Sequence, residues 1–241
     1  MSPAQPVPAQ PALQYGLYLA RTTVHAAVLR DPTTMLKLLG KPSSINVRKV
    51  LWLCAELQLA IEHEAWGSGY QNTQTPAFLA LNPNALVPVL LDGALVLWES
   101  NTICRYLAGR EQRADLLPTA PAARALVEQW MDWQATELNT AWRYAFLALV
   151  RQSAAHADAQ ALAASVAEWN RLMQLLDRQL DQTGAYVAGA AFTLADVVLG
   201  LSANRWLMTP MQRPPLPAVD AWLARLRRRP GFVLHGENGA P

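Results

Sequence analysis

The feature that most limits how this 241-residue chain can fold is a change of character around residues 111–121. Before it, apolar runs of strand length alternate with helical stretches; after it come long helical segments with hardly any strand signal. Residues 35–39 form the first apolar run, and the turn Gly40-Lys41-Pro42-Ser43-Ser44 leads into a helix. There Val47, Val50, Leu51, Cys54 and Leu57 recur at helical spacing, which puts Arg48, Lys49 and Glu56 on the solvent side. Residues 61–65 read as a second strand, and so short a strand-helix-strand unit predicts a parallel pair with a crossover helix. A polar loop over 66–75 and a short helix over 76–81 follow, stopped by Asn82-Pro83. Next come two apolar runs, 87–91 and 94–98, flanking Asp92-Gly93, a hairpin signal, and then a helix over 101–107 that ends near Gly109.

This order predicts an α+β domain over residues 35–110, a mixed four-stranded sheet with helices on its faces. Residues 111–121, broken by Pro118 and Pro121, read as a linker. An all-α domain is expected over 122–235, with helices at 122–152, 159–181, 194–208 and 218–229, and then a tail over 236–241. Phe192-Thr193-Leu194-Ala195-Asp196-Val197 carries a helix-start signature: Thr193 at the cap, Asp196 reaching back to the cap N–H, and Phe192 stapled to Val197. Residues 1–34 are rich in Pro and Ala, lack a cationic leader and read as a disordered extension.

With 52% apolar residues the chain can bury real cores, and a formal charge of +2 gives no electrostatic reason to expect a nucleic-acid partner. Arg227-Arg228-Arg229 reads as a solvated helix end. No apolar stretch approaches the roughly 18 residues of a membrane-spanning helix, so no membrane partner is expected. Cys54 and Cys104 lie far apart, each on the apolar side of a helix, and read as buried reduced thiols, which implies a cytoplasmic location. No metal site is expected.

Two features of residues 82–100 ask for more than packing. Pro88 stands at the entrance to a strand, where a cis Val87-Pro88 bond is one of two alternatives. Glu99-Ser100 places a carboxylate and a hydroxyl at a helix N-terminus, whose free N–H groups suit a carboxylate ligand.

The whole pattern resembles the cytosolic glutathione transferase superfamily, in particular its bacterial theta-like and nu-like enzymes of Ser-x-Asn type. Three motifs carry the resemblance: the SSINVRKVLWLCAEL segment over 43–57, NPNALVPVL with LWES over 82–100, and the TLAD box over 193–196. It covers residues 35–235 and implies a thioredoxin-like domain that holds glutathione, a helical domain that supplies much of the second-substrate pocket, and a homodimer. Glutathione is then the co-substrate, and no other cofactor is implied. Ser44 is expected to donate to the glutathione sulfur, with Asn46 as a second donor; Ser43 is the alternative one residue earlier. Glu99 would meet the γ-glutamyl amine and Ser100 its carboxylate, while Val87 offers its backbone to the cysteinyl part beside Pro88. A basic residue for the glycine carboxylate is missing from the 66–75 loop, which has only Gln71, Asn72 and Gln74. Asp132 is expected to reach a neighbouring subunit's glutathione, and Trp142 or Tyr144 to face the second-substrate cleft. Arg48 and Lys49 either add positive field near the sulfur or are simply solvated. His63 sits in a strand and His25 in the extension, so no histidine is assigned to catalysis. The implied activity is conjugation of the glutathione thiolate to apolar electrophiles. A glutathione-dependent disulfide reductase or peroxidase, and a non-catalytic binding protein of the same fold, are the alternatives.

Overall fold

A computed structural model describes residues 35–241; the 1–34 extension, with His25, lies outside the described residues. The first region runs β1 (Leu36–Leu39), α1 (Ile45–Leu57), β2 (Ile61–Glu64), α2 (Pro76–Leu81), β3 (Val89–Asp92), β4 (Leu95–Trp98) and α3 (Ser100–Arg110). Its sheet has the order β2-β1-β3-β4, with β1 and β2 parallel and the other neighbours antiparallel. This is the mixed four-stranded sheet expected from the strand order, including the parallel pair with α1 as crossover. Then follow α4 (Pro121–Trp133), a five-residue π segment (Gln134–Leu138), α5 (Asn139–Leu149), a 3₁₀ turn (Ala154–His156), α6 (Ala159–Thr183), α7 (Leu194–Met208), α8 (Pro217–Leu226) and α9 (Pro230–His235). No helix among the described residues is long and apolar enough to cross a membrane.

Helix α1 packs against α3, α7 and α9. Trp52 at its middle is fully buried, with its ring 5.9 Å from Phe192 and 5.0 Å from Phe232. A Cβ at Gly231 would lie 2.6 Å from Trp52 Cδ1, so α9 reaches α1 only because that position is glycine. Truncating such a side chain to alanine costs on the order of 3–5 kcal/mol.

This enclosure overturns one expectation. Arg48 and Lys49, read as the solvent face of α1, are each 1% exposed. Arg48 donates to the carbonyls of His235 (2.6 Å), Gly236 (2.5 Å) and Ala240 (2.8 Å), so it ties the end of the chain to α1. Helical spacing identifies the apolar face but not how many neighbours surround a helix. For the same reason Arg229 is no solvated helix end. It donates to Glu56 (2.7 and 3.0 Å) and lies over the Phe192 ring at 3.6 Å.

Smaller corrections concern boundaries. The hairpin turn is Gly93-Ala94, because Asp92 still pairs with Leu95 and its carboxylate is held by Tyr106 (2.6 Å) and Arg110 (2.8 Å). Gly93 takes the positive φ of 58° that the turn needs. Helix α3 runs through Gly109 to Arg110. The helix expected over 122–152 is interrupted by the π segment at Gln134, whose amide side chain is buried.

Candidate active site

The site begins where β1 ends. At Gly40 a Cβ would sit 2.4 Å from Val47 Cγ2 and 3.1 Å from Val87 Cβ, so the missing side chain lets α1 and the loop before β3 close on each other. The chain then turns, with the Ser44 N–H donating to the Lys41 carbonyl (3.0 Å), and Ser44 takes the N-cap position of α1 with extended φ and ψ. Its carbonyl accepts from the Arg48 N–H (2.9 Å), but its hydroxyl makes no capping hydrogen bond. Ser43 is exposed.

Opposite this lies the 82–88 loop. Asn82, 3% exposed, shapes it: its side-chain amide donates to the Leu86 carbonyl (2.8 Å) and its oxygen accepts from the Asn84 N–H (3.0 Å). The Val87-Pro88 bond is cis. Glu99, at the N-cap of α3, has φ 72° and ψ 110°, a region that non-glycine residues rarely occupy and that costs of order 1–3 kcal/mol. Its side chain makes no capping hydrogen bond, while Ser100 just after it is buried. Asn46, Val87, Pro88, Glu99 and Ser100 all line one cavity of about 60 Å³, together with Asn82 and Leu86. Asn46 and Leu86 also line a second cavity of about 620 Å³, which Ser44 borders, so the two adjoin.

Lys49 forms the floor beneath Ser100. Its Nζ donates to Gln134 Oε1 (2.8 Å) and Asn101 Oδ1 (3.1 Å), with a longer contact to Ser100 Oγ (3.5 Å). Gln134 in turn donates to Asn139 Oδ1 (2.9 Å) and Ser202 Oγ (3.1 Å), which explains why its side chain is buried at the π segment. Burial pushes the Lys49 ammonium down to about 7. An ammonium only donates, so any hydrogen bond to Ser100 leaves the serine's own O–H free for the cavity. Sequence reading placed Lys49 on the solvent side of α1, as a solvated cation or a source of positive field, and missed Gln134 and Asn82; of the three, only the Asn-Pro-Asn turn chemistry around Asn82 carried a signal.

Among the residues expected at a second-substrate cleft, Trp142 lines the larger cavity, where Nε1 donates to Asn139 Oδ1 (3.0 Å). Tyr144 does not. Two residues further round a helix it points about 200° away, its hydroxyl accepts from the Asp158 N–H (3.0 Å) and its ring packs on His156 at 4.9 Å. Asp132 pairs with Arg105 on an exposed face of α4. In the 66–75 loop, Gln71 is tied to Glu64 (2.5 Å) and Asn72 to the Gln74 N–H (2.9 Å), so both amides are locally engaged. Basic groups lie elsewhere: Lys41, Arg143, Arg151 and Arg205 border the larger cavity, and sequence reading assigned a part to none of them. Cys54 and Cys104 are free, buried thiols, pushed by burial to about 12, and so are not nucleophiles at neutral pH.

Residues 34–109 match the family model for the glutathione S-transferase N-terminal domain and residues 138–230 that for its C-terminal domain. The chain is similar to glutathione S-transferase GstB of Escherichia coli, 36% identical over 81% of this chain and 95% of that protein. It is also similar to glutathione S-transferase 3 of Zea mays, 33% identical over 82% of this chain and 91% of the relative. The structure resembles that of a theta class glutathione S-transferase from Xanthomonas axonopodis pv. citri with glutathione bound. The TM-score is 0.78 and the identity 40%, over 83% of this chain and 96% of that one. With both domain models matched in order and these relatives covered nearly end to end, the chain belongs to the glutathione S-transferase family.

Proposed function

We propose that this protein joins glutathione, as its thiolate, to electrophilic compounds with an apolar body. The observation that carries the reading is the pair of adjoining cavities, one lined by Asn46, Val87, Pro88, Glu99 and Ser100, the other bordered by a Ser44 hydroxyl that its own helix leaves unused. In this reading Glu99 takes the γ-glutamyl ammonium, and Ser100 with the first N–H groups of α3 takes the adjacent carboxylate. The backbone of Val87 pairs with the cysteinyl unit as an added strand would. The sulfur then lies near Ser44 and Asn46. A thiol of pKa about 8.5 loses its proton to solvent more readily when an O–H and an amide N–H donate to the anion. The thiolate lone pair forms the new C–S bond, and a leaving group such as halide departs with the old bonding pair.

The protein acts as a cytoplasmic homodimer in this reading, with Asp132 directed to the partner subunit's glutathione; light scattering on the eluted protein checks the assembly. The catalytic assignment is tested by turnover with chlorodinitrobenzene and, separately, with a glutathione mixed disulfide, on wild type and Ser44→Ala. Conjugation that drops in the variant supports the reading. Reduction of the disulfide without conjugation replaces it by a reductase in which a second glutathione supplies the other thiol, since Cys54 and Cys104 are both buried. Absence of any glutathione binding removes both.

A further inference from the structure

We propose that the larger cavity selects electrophiles that carry a negative charge, a carboxylate or similar anion on an aromatic or otherwise apolar body. This rests on the transferase reading for the reaction, but not for the binding.

The cavity is about 620 Å³, and its wall holds Lys41, Arg143, Arg151 and Arg205 with no Asp or Glu. Small-molecule pockets are usually mostly apolar with a few polar groups that set orientation, and four cations with no acidic side chain among them depart from that pattern in one direction only. Among the described residues none of the four pairs with an Asp or Glu side chain, and Arg205 Nη2 donates to the main-chain oxygen of Pro241 (3.2 Å). Arg205 is 4% exposed; its guanidinium lies 4.5 Å from the Trp142 ring centre and 4.1 Å from that of Phe146, and its Nε is buried without a hydrogen-bond partner. Arg151 also reaches over Phe146, at 5.3 Å. Two cations therefore converge on one aromatic wall.

The cations also oppose one another. Burial and the neighbouring Arg151 both hold the Lys41 ammonium below its ordinary value. Arg205 is held down to about 9 by burial, then by Arg48 and Arg151. A bound anion relieves both the desolvation and the repulsion. Glutathione's glycine carboxylate can satisfy one of the four, which leaves the others for the second substrate. The aromatic rings of Trp142 and Phe146 then hold its apolar part. In the reaction such a ligand keeps its carboxylate: sulfur bonds to the ring carbon, chloride leaves with the bonding pair, and the thiol proton goes to solvent.

The test uses two matched pairs. Binding of nitrobenzoate and of nitrobenzamide is measured by calorimetry without glutathione, on wild type, on Arg143→Gln/Arg151→Gln, and on Arg143→Lys/Arg151→Lys. We expect the benzoate to bind roughly tenfold more tightly than the amide, with a preference that shrinks as salt is added, is lost in the Gln pair and is kept in the Lys pair. Both arginines are exposed, so the variants should fold, and urea unfolding of each variant reports this independently. Equal binding of benzoate and amide, or equal loss of both in the Gln pair, overturns the proposal. Turnover of chloronitrobenzoate and chloronitrobenzamide with glutathione, each divided by its uncatalysed rate, should show the same preference. A benzoate preference in binding with no turnover of either compound supports the anion site and overturns the transferase reading.

Discussion

Thr193, ahead of α7, sits in a closed set of hydrogen bonds. Its N–H (2.8 Å) and hydroxyl (3.2 Å) both donate to Asp196 Oδ2, while Asp196 Oδ1 accepts from the Val187 N–H and the Trp222 indole, each at 2.9 Å. Ser44 and Glu99, ahead of α1 and α3, hold the same position in their helices, and neither side chain makes a capping bond. All three helix starts offer free N–H groups. The difference is that the first is sealed inside the helical core, whereas the other two border cavities. A cap that is satisfied from within stabilises the fold; one left open beside a cavity is available to a ligand, and at Glu99 the open cap coincides with a positive φ.

The largest effect expected from this contrast is at Asp196. Asp196→Ala strands the donors of Val187, Thr193 and Trp222 in a fully buried place, and should lower stability by on the order of 3 kcal/mol in urea unfolding. The remaining folded protein should bind glutathione as before. Ser44→Ala should do the reverse: unfolding within about 0.5 kcal/mol of wild type, but kcat/KM for conjugation down roughly 10- to 100-fold, about 1.4–2.7 kcal/mol. An Ala variant as destabilised as the Asp196 one would show that Ser44 is an ordinary cap.

The floor under α3 offers a pH test. Unfolded, Lys49 keeps its proton to about 10.5; folded, burial brings this to about 7. Between those values the unfolded chain binds more protons, so stability from this group rises with pH, by up to about 1.4 kcal/mol per unit. Urea melts of wild type and Lys49→Met from about pH 7 to 10 should therefore differ in slope, the variant being flatter. The smallest effect is expected at Glu99. Glu99→Gly relieves the positive φ and should add about 1 kcal/mol of stability while weakening glutathione binding in calorimetry. A variant that gains stability and keeps its affinity would detach the strained backbone from ligand binding.

How much of this was legible beforehand follows from what local patterns encode. Apolar periodicity sufficed for the four strands and the helical second half, because each element must bury one face, and connection lengths for the parallel first pair and the antiparallel hairpin; the β1–β3 pairing that joins the two was not legible. Turn and cap chemistry pointed to the Thr193–Asp196 box and to the stretch around Pro88, Glu99 and Ser100. The π segment was not legible, since Gln134 looks like any polar helix residue until Lys49, Asn139 and Ser202 surround it. Trp142 and Tyr144 could not be told apart, because which face of α5 meets a cavity depends on how α5 packs on α6 and α7.

The sequence by itself determined the architecture and the Glu99-Ser100 and Ser44 helix starts, since propensity, spacing and capping act within a few residues. Only the tertiary structure decided that Arg48 and Lys49 are interior, that Gln134 bridges the two halves of the molecule, and that Lys41, Arg143, Arg151 and Arg205 share one cavity. These groups are up to 164 residues apart in the chain (41 to 205). Long side chains are polar at their tips and apolar along their stems, so composition cannot tell a solvated cation from a buried one; that depends on which helices close around it.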